Sequence, residues 1–164
     1  MKCGIADVGS NTIRLSIYRW EGTQFKLLLN KKVMAGLAGY IKDGALSDSG
    51  ILVACRTLAG FRALLDNFGL HDLYVFGTAS LRNIVNTEDA VQTIREVTGL
   101  TVEVLSGADE AALSFQGAAA GGGASSGLLT DIGGGSTELV AYDGGRISSG
   151  CSLPMGSLSL YTRY

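Results

Sequence analysis

The sequence predicts an α/β fold, a mixed sheet with flanking helices, followed by the opening hairpin of a second, like unit. Three observations carry that expectation. Ile13, Leu15 and Ile17 alternate with Arg14, Ser16 and Tyr18 at the period of a half-buried strand. Ile51, Leu52, Leu58, Phe61, Leu64, Leu65 and Phe68 recur at three- and four-residue steps, the period of a helix buried on one side. Residues 131–137 repeat the pattern of 7–12, in which an apolar run ends in aspartate and is followed by glycine and then hydroxyls.

Taken in order, a short strand around 4–6 and the alternating strand flank the turn Asp7-Val8-Gly9-Ser10-Asn11, so the chain begins as a β-hairpin. A third strand is expected over 25–33. After a loop at 36–44, Ser47 precedes the helical pattern and Gly69 stops it. Residues 73–76 read as a buried strand, 87–97 as a helix ending at Gly99, and 101–105 as another strand. Hairpin-linked strands followed by alternating helices and strands give a sheet with helices on its faces. A helix from about Asp109 to Gly117 leads into 117–127, whose Gly, Ala and Ser have the composition of a flexible hinge or domain boundary. Strands at 128–131, 138–142 and 146–151 then open the second unit. The expected organisation is a first domain over 1–122 and the opening strands of an incomplete second over 123–164, related by an old duplication. Trp20, Tyr18 and Tyr74 are expected in the core or at its rim, and His71 in a solvated turn.

Composition narrows the function. With 46% hydrophobic and 17% charged residues the chain is globular. A net charge of −2 and a pI near 5.3 provide no basic field for nucleic acid. No stretch has the length of a membrane helix or a signal peptide. The three cysteines are far apart and form no C-x-x-C pair, which points to a reducing cytoplasm.

The 24 glycines are the informative excess. A hairpin turn rich in Gly, Ser and Thr directs several N–H groups and hydroxyls at one point, as a phosphate requires. Each such charge-assisted bond contributes about 1.5–3 kcal/mol, so three or four hold an anion without a basic surface. An aspartate beside that phosphate repels it unless a cation lies between. Asp7, Asp131 and Glu138 therefore predict Mg²⁺ with retained waters. A single turn of this kind reads more simply as backbone geometry; the matched pair favours phosphate. Arg82, just after a strand, is placed either to brace a phosphate or to form a surface salt bridge, and Arg14 to face either a cleft or solvent. Asp109 and Glu110, at a helix start, also complement the helix dipole.

Asp7-Val8-Gly9-Ser10-Asn11-Thr12-Ile13-Arg14 and Asp131-Ile132-Gly133-Gly134-Gly135-Ser136-Thr137-Glu138-Leu139 resemble the two phosphate motifs of the exopolyphosphatase / guanosine pentaphosphate phosphatase (Ppx/GppA) family. Thr78-Ala79-Ser80-Leu81-Arg82-Asn83-Ile84-Val85-Asn86 and Leu105-Ser106-Gly107-Ala108-Asp109-Glu110-Ala111 are similar to its middle motifs, as are Gly44-Ala45-Leu46-Ser47 and Leu153-Pro154-Met155-Gly156-Ser157. Ser80 and Ile84 stand where the family carries small alanines, and Asn83 where an acidic residue is common. The resemblance spans nearly the whole chain and corresponds to the amino-terminal part of the family. It implies an actin-like, sugar-kinase-like (ribonuclease H-like) fold and Mg²⁺-dependent hydrolysis of the terminal phosphoanhydride of polyphosphate or guanosine pentaphosphate. It also implies Glu110 as the general base, Ser10, Asn11, Thr12, Arg82, Gly133, Gly134, Gly135, Ser136 and Thr137 as phosphate ligands, and Asp7, Asp131 and Glu138 as metal ligands. A homodimer is compatible with it. Two other readings stay open: a (p)ppGpp- or nucleotide-binding module without turnover, and an ATP-dependent kinase of the same superfamily.

Overall fold

The computed structural model describes residues 1–22 and 24–163, which form two compact units, Met1–Val104 and Leu105–Tyr164. In the first, β1 (Lys2–Val8), β2 (Thr12–Glu21) and β3 (Gln24–Met34) form an antiparallel meander. Two further strands, β6 (Leu73–Gly77) and β7 (Val102–Val104), add in parallel beside β1, giving the order β3-β2-β1-β6-β7. The period-two alternation places Ala6, Val8, Ile13, Leu15 and Ile17 in the core. There they meet Leu58, Phe61 and Leu65 of α1 (Asp48–Asn67) and Ile94 of α3 (Thr87–Thr98). Ser47 caps α1, its hydroxyl accepting from Gly50 N at 3.4 Å. Gly69 and Gly99 end the two long helices in left-handed conformations, φ 64° and 71°.

Two expectations need correction in this unit, whereas the third strand forms over the residues expected. The segment 36–44 is structured: Leu37–Tyr40 is a 3₁₀ turn, and β4 (Ile41–Lys42) pairs with β5 (Ala45–Leu46). Leu37 and Leu46 occupy the core, and that burial shapes the connection. Strand β3 is the sheet edge, with only Leu29 and Val33 half-buried. Trp20 and Tyr74 are surface residues, 47% and 56% exposed; Trp20 lies against Phe25 at 6.2 Å between ring centres.

The second unit contains α4 (Gly107–Ala120), β8 (Gly127–Ile132), β9 (Thr137–Asp143), β10 (Arg146–Leu153) and α5 (Ser157–Arg163). Its antiparallel sheet has the order β10-β9-β8, the same chain order as β3-β2-β1. One face packs Val140, Leu129 and Tyr142 against Ala111 and Phe115 of α4. The proposed hinge is narrower than its composition suggested, because Gly117 and the three alanines after it complete α4; alanine is the strongest helix former. Packing thus groups α4 with the second sheet, whereas the boundary at 122/123 follows the sequence repeat.

Candidate functional site

The two Asp–Gly turns have one geometry. Across β1 and β2, Asp7 pairs with Arg14, and Gly9 N donates to Thr12 O at 3.1 Å. Across β8 and β9, Asp131 pairs with Glu138, and Gly133 N donates to Ser136 O at 2.9 Å. Aspartate, the glycine two residues on and the strand partner seven residues on therefore coincide, which fixes the alignment of the two turns without a gap.

In the first unit the turn is held from behind. The carbonyls of Ser10 and Asn11 accept from Ala38 N (2.9 Å) and Gly36 N (2.8 Å), where the chain leaves β3. Val8 O accepts from the buried Ser80 hydroxyl at 2.7 Å, which explains why serine is accommodated there. Ser80 belongs to the short helix α2 (Ala79–Arg82), so this bond ties the strand end carrying Asp7 and Ser10 to the turn carrying Arg82. Asp7, Asn11, Thr12 and Arg82 are partly accessible, and Ser10 is buried. Arg14 has a buried Nε that no described residue accepts from. Asn86 is structural: its Oδ1 accepts from Leu46 N and its Nδ2 donates to Leu46 O, both at 2.9 Å.

In the second unit the corresponding bracing comes from the segment after β10. Gly133 O accepts from Ser157 N at 2.9 Å, and Gly134 O from Leu158 N at 3.0 Å. Thr137 Oγ1 donates to Met155 O at 2.6 Å. A Cβ on Gly156 would lie 2.5 Å from the Gly134 carbonyl carbon and oxygen; only glycine lets this segment press so closely on the loop.

Asp131 and Glu138 stand directly opposite one another, a placement that destabilises a hairpin when both carry negative charge. Glu138 is 2% exposed, while Asp131 is exposed. Each is oriented by one serine: Ser114 Oγ donates to Asp131 Oδ2 at 2.6 Å and Ser152 Oγ to Glu138 Oε1 at 2.7 Å. Ser114 lies one turn beyond Glu110 on α4, so both project from one side of the helix. Glu110, in the first turn, is half-buried; Asp109 beside it is bound into the cap, exchanging hydrogen bonds with Ser106 at 2.6 and 3.1 Å. A facing carboxylate pair with oxygen-only donors suits a hard cation. Among the described residues no group of three or more His, Cys, Asp or Glu side chains forms a metal cage; Mg²⁺ takes one or two carboxylates and completes its shell with phosphate and water.

The structure thus gathers Asp7, Ser10, Asn11, Thr12 and Arg82 in one unit, and Glu110, Asp131, Gly133, Gly134, Gly135, Ser136, Thr137 and Glu138 in the other. Ser114 and Ser152 escaped the sequence reading. The four-residue step from Glu110 is the signal that marks Ser114; Ser152 has none, because its partner is fourteen positions away through a hairpin.

A sequence model of the Ppx/GppA phosphatase family matches residues 16–164. The crystal structure of an exopolyphosphatase from Cytophaga hutchinsonii superposes with a TM-score of 0.89 at 30% identity, covering 100% of this chain and 54% of that one. A Ppx/GppA family member from Aquifex aeolicus gives 0.83 at 25% identity, covering 99% and 54%. The chain spans about half the length of these solved relatives. The ethanolamine utilization protein EutJ from Carboxydothermus hydrogenoformans, 19% identical over 96% of this chain and 53% of its own, shares the fold at a TM-score of 0.56. The architecture is the actin-like, sugar-kinase-like one.

Proposed function

The chain belongs to the Ppx/GppA phosphatase family, and on that premise we propose that the protein hydrolyses the terminal phosphoanhydride of inorganic polyphosphate or guanosine pentaphosphate with Mg²⁺. The observation that carries this reading is the second hairpin. Its glycine loop is pressed into shape by Gly156, a facing carboxylate pair stands at its base, and α4 packs on the same sheet with Glu110 in its first turn.

Glu110 is the general base. Its carboxylate takes a proton from a water whose oxygen forms a bond to the terminal phosphorus; the bond to the bridging oxygen breaks, and the shortened chain leaves with that oxygen and the electron pair. In the second unit Gly133, Gly134, Gly135, Ser136 and Thr137 bind phosphate oxygens; in the first, Ser10, Asn11, Thr12 and Arg82 do so. Asp131 and Glu138 are the metal ligands that the second unit offers, and Asp7 the one that the first unit offers. When bound, Mg²⁺ neutralises charge on the phosphates. Positioning and charge neutralisation supply most of the acceleration in phosphoryl transfer. Ser136 and Glu138 are 3% and 2% exposed, so packing constrains both side chains.

A magnesium-dependent phosphate-release assay on the full-length protein, with polyphosphate, guanosine pentaphosphate and ATP in parallel, tests the proposal. Release from either of the first two, reduced about 10²–10⁴-fold by Glu110→Gln, is the expected result. An unchanged rate in that variant removes Glu110 from the mechanism. Tight nucleotide binding without any phosphate release would identify a sensor instead, and ATP consumption only with an acceptor would identify a kinase.

A further inference from the structure

Glu138 places a carboxyl group where few polar side chains sit. It is 2% exposed, in a hairpin whose facing residue is a second carboxylate. A buried carboxylate persists when it is hydrogen-bonded, and the direction of that bond decides which oxygen remains available. Ser152 supplies it. It sits opposite Glu138 in the β9–β10 register, and its hydroxyl donates to Oε1 at 2.7 Å.

The serine is held on two further sides. The chain beyond it runs to Met155, whose carbonyl accepts from Thr137 Oγ1, and to Gly156, which presses on the Gly134 backbone. On the other side lies the start of α4: a Cβ on Gly107 would come 2.6 Å from Ser152 Cβ. Gly107 is the first residue of the helix, and Glu110 follows three residues later. Ser152 thus sits where the helix carrying the proposed base, the strand carrying the proposed metal ligand and the segment bracing the glycine loop converge within one unit.

We infer that Ser152 is a positioning residue for Glu138: it occupies Oε1 and so turns Oε2 toward the cation, with Gly107 providing the clearance that lets it do so. This rests on the reading of Glu138 as a metal ligand. The prediction concerns orientation, so it is visible in cation binding before any turnover.

The test titrates Mn²⁺ into the full-length protein without substrate, following free Mn²⁺ by electron paramagnetic resonance, with Mg²⁺ as competitor. Ser152→Cys and Ser152→Ala keep nearly the same volume while weakening and then removing the donor. The Kd for Mn²⁺ is expected to rise in that order, reaching about tenfold in Ser152→Ala, a loss of about 1.4 kcal/mol. Thermal unfolding and the titrated fraction of folded protein report separately on whether the fold survives. Glu138→Gln is the reference and should abolish the high-affinity site. A Kd in Ser152→Ala within twofold of the unaltered protein, alongside loss of the site in Glu138→Gln, overturns the positioning role and leaves the reading of Glu138 intact. Absence of a high-affinity site in the unaltered protein overturns the reading of Glu138 and the inference with it.

Discussion

At the scale of single residues, the structure separates side chains that the sequence presents as equals. Arg82 and Asn86 belong to one motif, yet both polar ends of Asn86 are engaged by the backbone of Leu46. Asn86→Ala leaves that N–H and C=O without their partners, which costs about 1–3 kcal/mol for each group that stays buried. The expected outcome is a lower unfolding midpoint with phosphate release per folded molecule unchanged; a selective loss of turnover would return Asn86 to the site. The cysteines divide in the same way. Cys3 and Cys55 are buried, and desolvation pushes both thiols above the ordinary range; the Asp72 carboxylate adds to the effect at Cys3, partly offset by the amino terminus. Cys151 is exposed, so a thiol reagent at mildly alkaline pH should modify it first, with the other two reacting only on unfolding, as mass spectrometry of partially labelled protein will show. Burial of this kind was not legible in the sequence, because Cys151 lies in a strand as the others lie in strand and helix. What was legible is the pair of aspartates, each followed two residues later by a glycine that must close the same turn hydrogen bond.

Among the elements, legibility followed how many independent signals each carried. For α1 there was apolar spacing, a capping serine and a terminal glycine, and it forms as expected; α3 likewise ends at Gly99. The 3₁₀ turn and the small β4–β5 ribbon carried none, since four- and two-residue elements have no period and are dictated by the burial of Leu37 and Leu46. Helix α4 extended past its expected end because alanine propagates a helix that glycine alone would not stop. Its start has a functional consequence. Ser106 caps α4 through Asp109 N at 3.1 Å, and Glu110 N donates to Ser106 O at 3.0 Å. Ser106→Ala should cost about 0.5–2 kcal/mol, concentrated in the turn that holds the proposed base. Hydrogen exchange at the Asp109 and Glu110 amides should accelerate, with phosphate release falling several-fold at an unaltered substrate KM. The equivalent loss at α1, Ser47→Ala, should lower stability without touching turnover, since its first turn carries none of the site residues.

Across the whole molecule, the two short matching motifs lie in two meanders with the same strand order and the same turn register. The two units nevertheless differ in what they can sustain alone. The core of Met1–Val104 runs continuously from Ala6 to Val102 through both long helices. That of the second unit consists of Ala111, Phe115 and Val140 with two half-buried neighbours, and Leu128 and Ile132 are each 65% exposed. A domain of about 60 residues buries only about 60% of its unfolded surface and is marginal even with a full core. A fragment comprising residues 1–104 should therefore unfold in a single cooperative transition, by circular dichroism in urea, whereas a 105–164 fragment should give a non-cooperative profile. The first fragment should also show a signed pH dependence. Cys3 and Cys55 have raised thiol pKa values when folded, so their contribution is complete below the unfolded thiol pKa and declines as pH rises through the folded values. Replacing both with alanine or serine should flatten the alkaline limb of its stability curve. A cooperative transition in the 105–164 fragment would show that its two helices and open sheet suffice, and would make each unit a folding unit in its own right.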